Sequence, residues 1–308
     1  MYTQSPEASQ YQNIDSYNVT TDLFNRCWAE LYAGALNDYK FIIEQSLEEE
    51  EYHFYLIANL LQVYTFQVLA DLHNQIPLAQ SLDPTNIQPG YDDGPEVYSA
   101  LLQQVGDALN IYESNVSGSD ANPGTADLFF GVDMDQWLRF AHSLKLKLLM
   151  RISFTEMADT DLTLELIDQG QFITQDVAMT QFSDVQGNRN FFYEIEKQRL
   201  GGVYEYPTSG EPETDLKQIM LQKWVAMANV HNIEAFFELN RTGYPEYTML
   251  EPTGPKFEPG TLRYSISSVL PDGQAPRRLF FPDISVCVNQ NVPPQPNSIA
   301  EAVWWDQR

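Results

Sequence analysis

The chain has 308 residues, with 17 Lys plus Arg against 43 Asp plus Glu, a formal net charge of −26. Hydrophobic residues make up 43% and aromatic residues 13%, which excludes a disordered chain and supplies a sizeable core. Such a balance offers no basic stripe for nucleic acid and no charge-driven grip on an anionic membrane surface.

Residues 1–20 read as a polar tail with neither an export signal nor a membrane-spanning run. Export would therefore require a segment that is not in this chain. Thr20 or Thr21 is expected to cap a first helix. In it Leu23, Cys27, Leu31, Ala35, Tyr39, Ile42 and Ile43 recur at helical spacing. The run Glu48 to Glu51 reads as a solvated turn. A second helix is expected over Tyr52 to Leu72, with Phe54, Ile57, Leu60, Leu61, Tyr64, Val68 and Leu72 on its buried face. The two should pack as an antiparallel hairpin.

The segment after His73 is loaded with Pro, Gly, Asn and Asp and reads as a long structured loop. A third helix follows in "EVYSALLQQVGDALNIYESN". A fourth, in "MDQWLRFAHSLKLKLLMRIS", is strongly apolar and is expected to be central. A fifth and short one lies in "DLTLELIDQGQFI". Residues 176–213 lose this periodicity. One last strong helix is expected from about Thr214 to Asn240. It is stopped by Gly243 and Pro245, with Arg241 placed favourably against the helix dipole. The remainder is Pro-rich, with short strands expected near "TLRYSISS" and "ISVCV". The expected class is mostly α, with tetratricopeptide-like helix pairs, loop-rich decoration and minor strand.

Catalytic signatures are missing: no zinc-protease helix motif, nucleophile elbow, phosphate loop or dinucleotide fingerprint. No organic cofactor is expected; a structural cation such as calcium is left open, although no calcium-loop pattern occurs. Cys27 and Cys287 sit in apolar settings and read as buried free thiols. Trp28, Trp137 and Trp224 read as core. The loop aromatics Tyr91, Phe192, Tyr193, Tyr204, Tyr206, Tyr244 and Tyr247 are of the type that stacks on sugar rings, or that pins loops to a core.

Several blocks, in order, resemble one family. "VLADLHNQIPLAQSL", "PGYDDGPEVYSALLQQVGDAL", "GVDMDQWLRFAHSLKLKLLMRIS", "IMLQKWVAMANVHNIEAFFELNRTGYP" and "PRRLFFPDISVCVNQNV" are similar to segments of SusD/RagB nutrient-binding outer-membrane lipoproteins, in their second, SusD-like branch. Pro77, Trp137, Trp224, Arg241, Gly243 and Pro245 fall on the family's structural motif positions. His73, Asn74 and Gln75 stand where the family prefers Trp, Gly and Asp, and Ser285 where it prefers Glu. Neither the family's export signal, lipid-bearing cysteine and early helices nor its long segment before Leu216 is matched.

The resemblance implies a single domain over 1–308: a tail (1–20), a helical-repeat part (21–175), a variable loop part (176–213) and a C-terminal helix with Pro-rich loops (214–308). It implies a cell-surface, non-enzymatic subunit that captures oligo- or polysaccharide for a SusC-like TonB-dependent transporter. The membrane would be met only through an N-terminal lipid outside this chain. Tyr91, Phe192, Tyr193, Tyr204 and Tyr206 are the ligand-contact candidates, and the charge suits a neutral glycan. The alternatives are a helical-repeat scaffold that binds protein, and a glycoside hydrolase using two of the many acids.

Overall fold

The computed structural model describes residues 13–14, 16–131, 133–174, 177, 211–227, 231–248, 261–265 and 267–307. The chain divides into two compact units, one of residues 19–178 with 276–307 and the other of 1–18, 179–275 and 308. It is mostly helical, and its described strand content is one pair of two-residue strands.

In the first unit the leading helix is not continuous. It runs as α1 (Asn25–Ala29), a π-helical stretch (Glu30–Leu36) and α2 (Asn37–Glu48). Each π turn takes in more residues than an α turn, so the buried face changes register. Trp28, Leu36 and Ser46 are buried, whereas Leu31 and Ala35, expected from a 3.6-residue period, are only half-covered. Cys27 is free but exposed, and so is Cys287, against the expectation of buried thiols.

A tight turn at Glu49 and Glu50 leads to α3 (Tyr52–His73), the antiparallel partner of α2. Its first turn is held from outside: Asp120 Oδ2 accepts from the Tyr52 N–H at 3.2 Å, and Glu51 reaches the Ala121 N–H. α4 (Gly94–Asn115) begins at a capping box of Asp93 and Glu96 with Pro95 in its first turn. The cap of α5 (Met134–Arg151) is Asp133, whose carboxylate accepts from Asp135 and Gln136 N–H groups. α6 (Thr160–Gln169) stops at Gly170, which takes the left-handed conformation.

The central helix is α3 rather than α5, because α2, α4 and α5 all pack on it. Surrounded in this way, α3 is buried almost around its circumference. Of the face expected from periodicity only Leu60 is fully covered; Phe54, Ile57, Leu61, Tyr64, Val68 and Leu72 are half-buried. A helix apolar on all sides carries no stripe from which to choose. Polar groups are buried with it. Asp71 accepts from Tyr98 Oη at 2.6 Å, lies 3.1 Å from Arg151 Nε and takes a bond from Gln67. Burying that charge pair costs desolvation that these extra bonds offset.

Residues 276–307 strap the C-terminal end of α3. Leu279 N–H donates to the Leu72 carbonyl (2.8 Å), Arg278 Nη2 to the His73 carbonyl (2.7 Å) and Trp304 N–H to Asn74 Oδ1 (2.7 Å). Asn74 stands where the related pattern has glycine, and its φ of +73° is the reason glycine suits the position.

The second unit holds α7 (Pro212–Met227) and α8 (Asn232–Thr242), which pack together, and a parallel pair of β1 (Tyr247–Thr248) with β2 (Leu262–Arg263). The single long helix expected over 214–240 is thus two. His231, which precedes α8, has the non-helical φ of −137°. Trp224 is half-buried rather than core. "TLRY" does supply a strand, but "ISVCV" does not. Pro282 caps a one-turn helix there, α9 (Asp283–Val286), in the first unit. Among the described residues no helix is long and apolar enough to cross a membrane.

Candidate functional site

Only one of the five ligand-contact candidates lies within the described residues. Tyr91 is half-buried and committed to the protein. Its hydroxyl shares a 2.7 Å hydrogen bond with Ser285 Oγ. Its ring stacks on Trp28 (6.4 Å, 10°) and meets Phe281 edge-on (5.5 Å). Burial raises its pKa. Tyr91 therefore pins its loop to α9. Phe192, Tyr193, Tyr204 and Tyr206 fall outside the described residues.

Around this contact lies a hollow of about 220 Å³. That is below the ~300 Å³ at which pockets for whole small molecules begin. Trp28 and Tyr32 form one wall, and Pro77, Leu82, Ile87 and Pro89 another. Ile284, Ser285, Val288 and Asn289 close the third side. Trp28 is fixed by the ring of His73, edge-on at 5.0 Å. Leu82 has φ +60°, a conformation that costs a β-carbon-bearing residue about 1–2 kcal/mol. Its carbonyl accepts from Lys40 Nζ at 2.8 Å.

The hollow's polar side chains are turned to the protein's own needs. Tyr32 Oη donates to the Pro77 carbonyl (2.9 Å), and Ser81 Oγ to the Leu78 carbonyl (2.8 Å). Asn289 Nδ2 donates to the Pro89 carbonyl (2.9 Å), while its Oδ1 accepts from Asn291 N–H (2.9 Å). Burial pushes the Tyr32 pKa well up. Sequence reading assigned Trp28 to the core and did not single out Tyr32 or Ile87. The available signal was Ile87 itself, an aliphatic residue inside the polar loop "DPTNIQPG".

Pro77 is buried at the end of the Asn74–Gln75–Ile76 turn. Trp137 is buried against Phe129, Phe130 and Phe140, and its Nε1 donates to Asp127 Oδ2 at 2.8 Å. In the second unit Arg241 is buried in the last turn of α8 and forks onto Glu238, with Nε to Oε1 at 3.0 Å and Nη2 to Oε2 at 2.8 Å. Lys223 Nζ also reaches Glu238, at 2.9 Å. Gly243 ends the helix at φ +74°, and a cis Tyr244–Pro245 bond follows. Arg241 is therefore a structural cation that neutralises a buried carboxylate. Among the described residues no group of three or more His, Cys, Asp or Glu side chains is arranged to hold a metal ion.

Mostly α architecture, helical hairpins and this strapped helix end define the class; sequence comparison defines the family. The pattern of the SusD-like family described as "starch-binding associating with outer membrane" matches residues 1–205, more than half of the chain, and the chain belongs to that family. Among solved structures it is similar to a SusD homolog from Bacteroides uniformis, at 16% identity and a TM-score of 0.71, over 96% of this chain and 90% of that one. A chitin-binding protein is matched at 14% identity and a TM-score of 0.66, again over 96% and 90%. A SusD/RagB family protein from Bacteroides thetaiotaomicron is matched at 20% identity and a TM-score of 0.52, over 72% of this chain but only 44% of that one. At these identities the likeness is one of fold. No curated protein matches the chain. The family and the chitin-binding relative are described by what they bind, not by a reaction.

Proposed function

We propose that this chain is a carbohydrate-binding subunit at the outer face of an outer membrane, which captures oligosaccharides and passes them to a SusC-like TonB-dependent transporter. Membership of a family described as starch-binding and outer-membrane-associated carries the reading. The match over most of the chain to a chitin-binding protein of the same fold supports it. The aromatic residues of the variable segment, Phe192, Tyr193, Tyr204 and Tyr206, are the proposed contacts, with rings stacking on sugar faces. Tyr91 is not among them, because its hydroxyl is shared with Ser285 and its ring packs on Trp28. The net charge of −26 favours a neutral glycan over an anionic one.

Native affinity electrophoresis over soluble starch, a water-soluble chitin derivative and an acidic polysaccharide tests this. Retardation on a neutral polymer, reduced by Tyr204→Ala and Tyr206→Ala, is the expected result. Retardation on none of them by the folded chain would overturn the carbohydrate reading. Retardation only on the acidic polymer would overturn the charge argument.

A further inference from the structure

The hollow between α1, the 77–89 loop and α9 presents hydrocarbon. Tyr32, Ser81, Ser285 and Asn289, the polar side chains lining it, each have a partner inside the protein. A sugar ring carries hydroxyls around its edge and binds where side-chain donors and acceptors are available to meet them. Here each already has a bond within the protein, so few side-chain donors are left to meet a sugar's hydroxyls. What the hollow offers is apolar contact, extended by unusually bare aliphatic groups at its rim. Ile87 is 82% exposed and Val288 65%. Ile284 and Val286 of α9 are also exposed. Such concentrated apolar exposure marks an interaction surface.

The flanking charge narrows the occupant. Asp83 follows Leu82, and Asp283 precedes Ile284. Bonds from Thr85 hold the exposed Asp83 carboxyl below its ordinary range, so it is ionised. The nearby cations are paired with carboxylates: Lys40, which also bonds the Leu82 carbonyl, with Glu44 at 3.6 Å, and Arg26 with Glu30 at 2.7 Å. Negative charge therefore brackets the hollow, which disfavours a lipid with a phosphate headgroup and favours a cationic partner.

We propose that this hollow is a docking site for a protein segment that inserts a leucine, isoleucine or phenylalanine side chain and carries lysine or arginine beside it. The inserted side chain packs between Trp28, Tyr32, Ile87 and Val288, and the flanking cation meets Asp83 or Asp283. This interaction is separate from carbohydrate capture, and either holds without the other.

Panning a random peptide display library on the full chain tests it, with an Ile87→Ser/Val288→Ser chain as the counter-screen. Both substituted residues are exposed, and circular dichroism and Tm confirm that the variant folds as the parent does. Expected is recovery of peptides with an aliphatic or aromatic residue next to Lys or Arg. A synthetic peptide of that sequence should shift the methyl resonances of Ile87 and Val288, bind about ten-fold or more weakly to the variant, and weaken as salt is raised. Recovery of no peptide, of peptides that bind both chains alike, or of acidic peptides would overturn the proposal. So would a malto- or chito-oligosaccharide that shifts the same two methyl resonances.

Discussion

His73 makes the protein sensitive to acid in a way that one substitution can isolate. The imidazole is buried at the end of α3, with Nδ1 3.1 Å from the Phe280 carbonyl and its ring against Trp28. Burial, and secondly the charge of Arg278, lower its pKa from 6.5 to about 3. The unfolded chain takes up this proton as pH falls below about 6.5, whereas the folded protein refuses it until about pH 3. Between these values the unfolded state binds more protons, so stability rises with pH. The contribution is complete above about pH 6.5. It is lost on acidification at roughly 1.4 kcal/mol per pH unit and levels off below pH 3. From pH 7.5 to pH 4.5 that amounts to about 3 kcal/mol. His73→Phe retains an aromatic ring against Trp28 and removes the titrating group. Its lost bond to Phe280 shifts stability equally at both pH values, and the carboxylates are common to both proteins. Urea unfolding at pH 7.5 and 4.5 should show the parent losing about 2–3 kcal/mol more than the variant. Equal losses would refute the argument that a neutral, buried imidazole sets this sensitivity.

Substitutions at two positions probe the packing. At Gly94 an added Cβ would lie 1.9 Å from Trp304 Cδ1 and Nε1, so Gly94→Ala must displace Trp304 from its contact with Tyr98. A cost of about 1–3 kcal/mol is expected, read as a lower Tm; an unchanged Tm would show that the indole moves freely. In α8, Arg241→Ala strips the buried Glu238 of its bidentate partner and leaves it Lys223, with an expected cost of about 3–5 kcal/mol in urea unfolding. Arg241→Lys should recover only part of that, because an ammonium cannot fork onto a carboxylate; full recovery would mean that charge alone suffices.

The difference between local and distant determinants shows in particular residues. Gly243 ends α8 where the sequence placed a helix stop, because a positive-φ turn is set by atoms a few residues apart; the caps at Asp93 and Asp133 and the stop at Gly170 are equally local but were not read from the sequence. The order of motif blocks from Pro77 to the Arg-Thr-Gly-Tyr-Pro turn was equally legible, and with it the family. The sequence did not disclose which face of α3 would be buried, since that depends on how many helices surround it. Nor did it show the π-helical stretch that turns Leu36 inward in place of Ala35, or the exposure of Cys27 and Cys287. Tyr91 read as a candidate sugar platform because its loop is polar. Its hydroxyl is spent on Ser285, 194 positions along the chain. The hollow beside it is likewise assembled from three distant segments, each ordinary by itself. Sequence thus determined which segments are helical and to which family they belong, but not the interruption of the leading helix or the break between α7 and α8. The tertiary structure alone decided which aromatic and polar groups remain available, because hydrogen-bond satisfaction and burial are properties of neighbours in space.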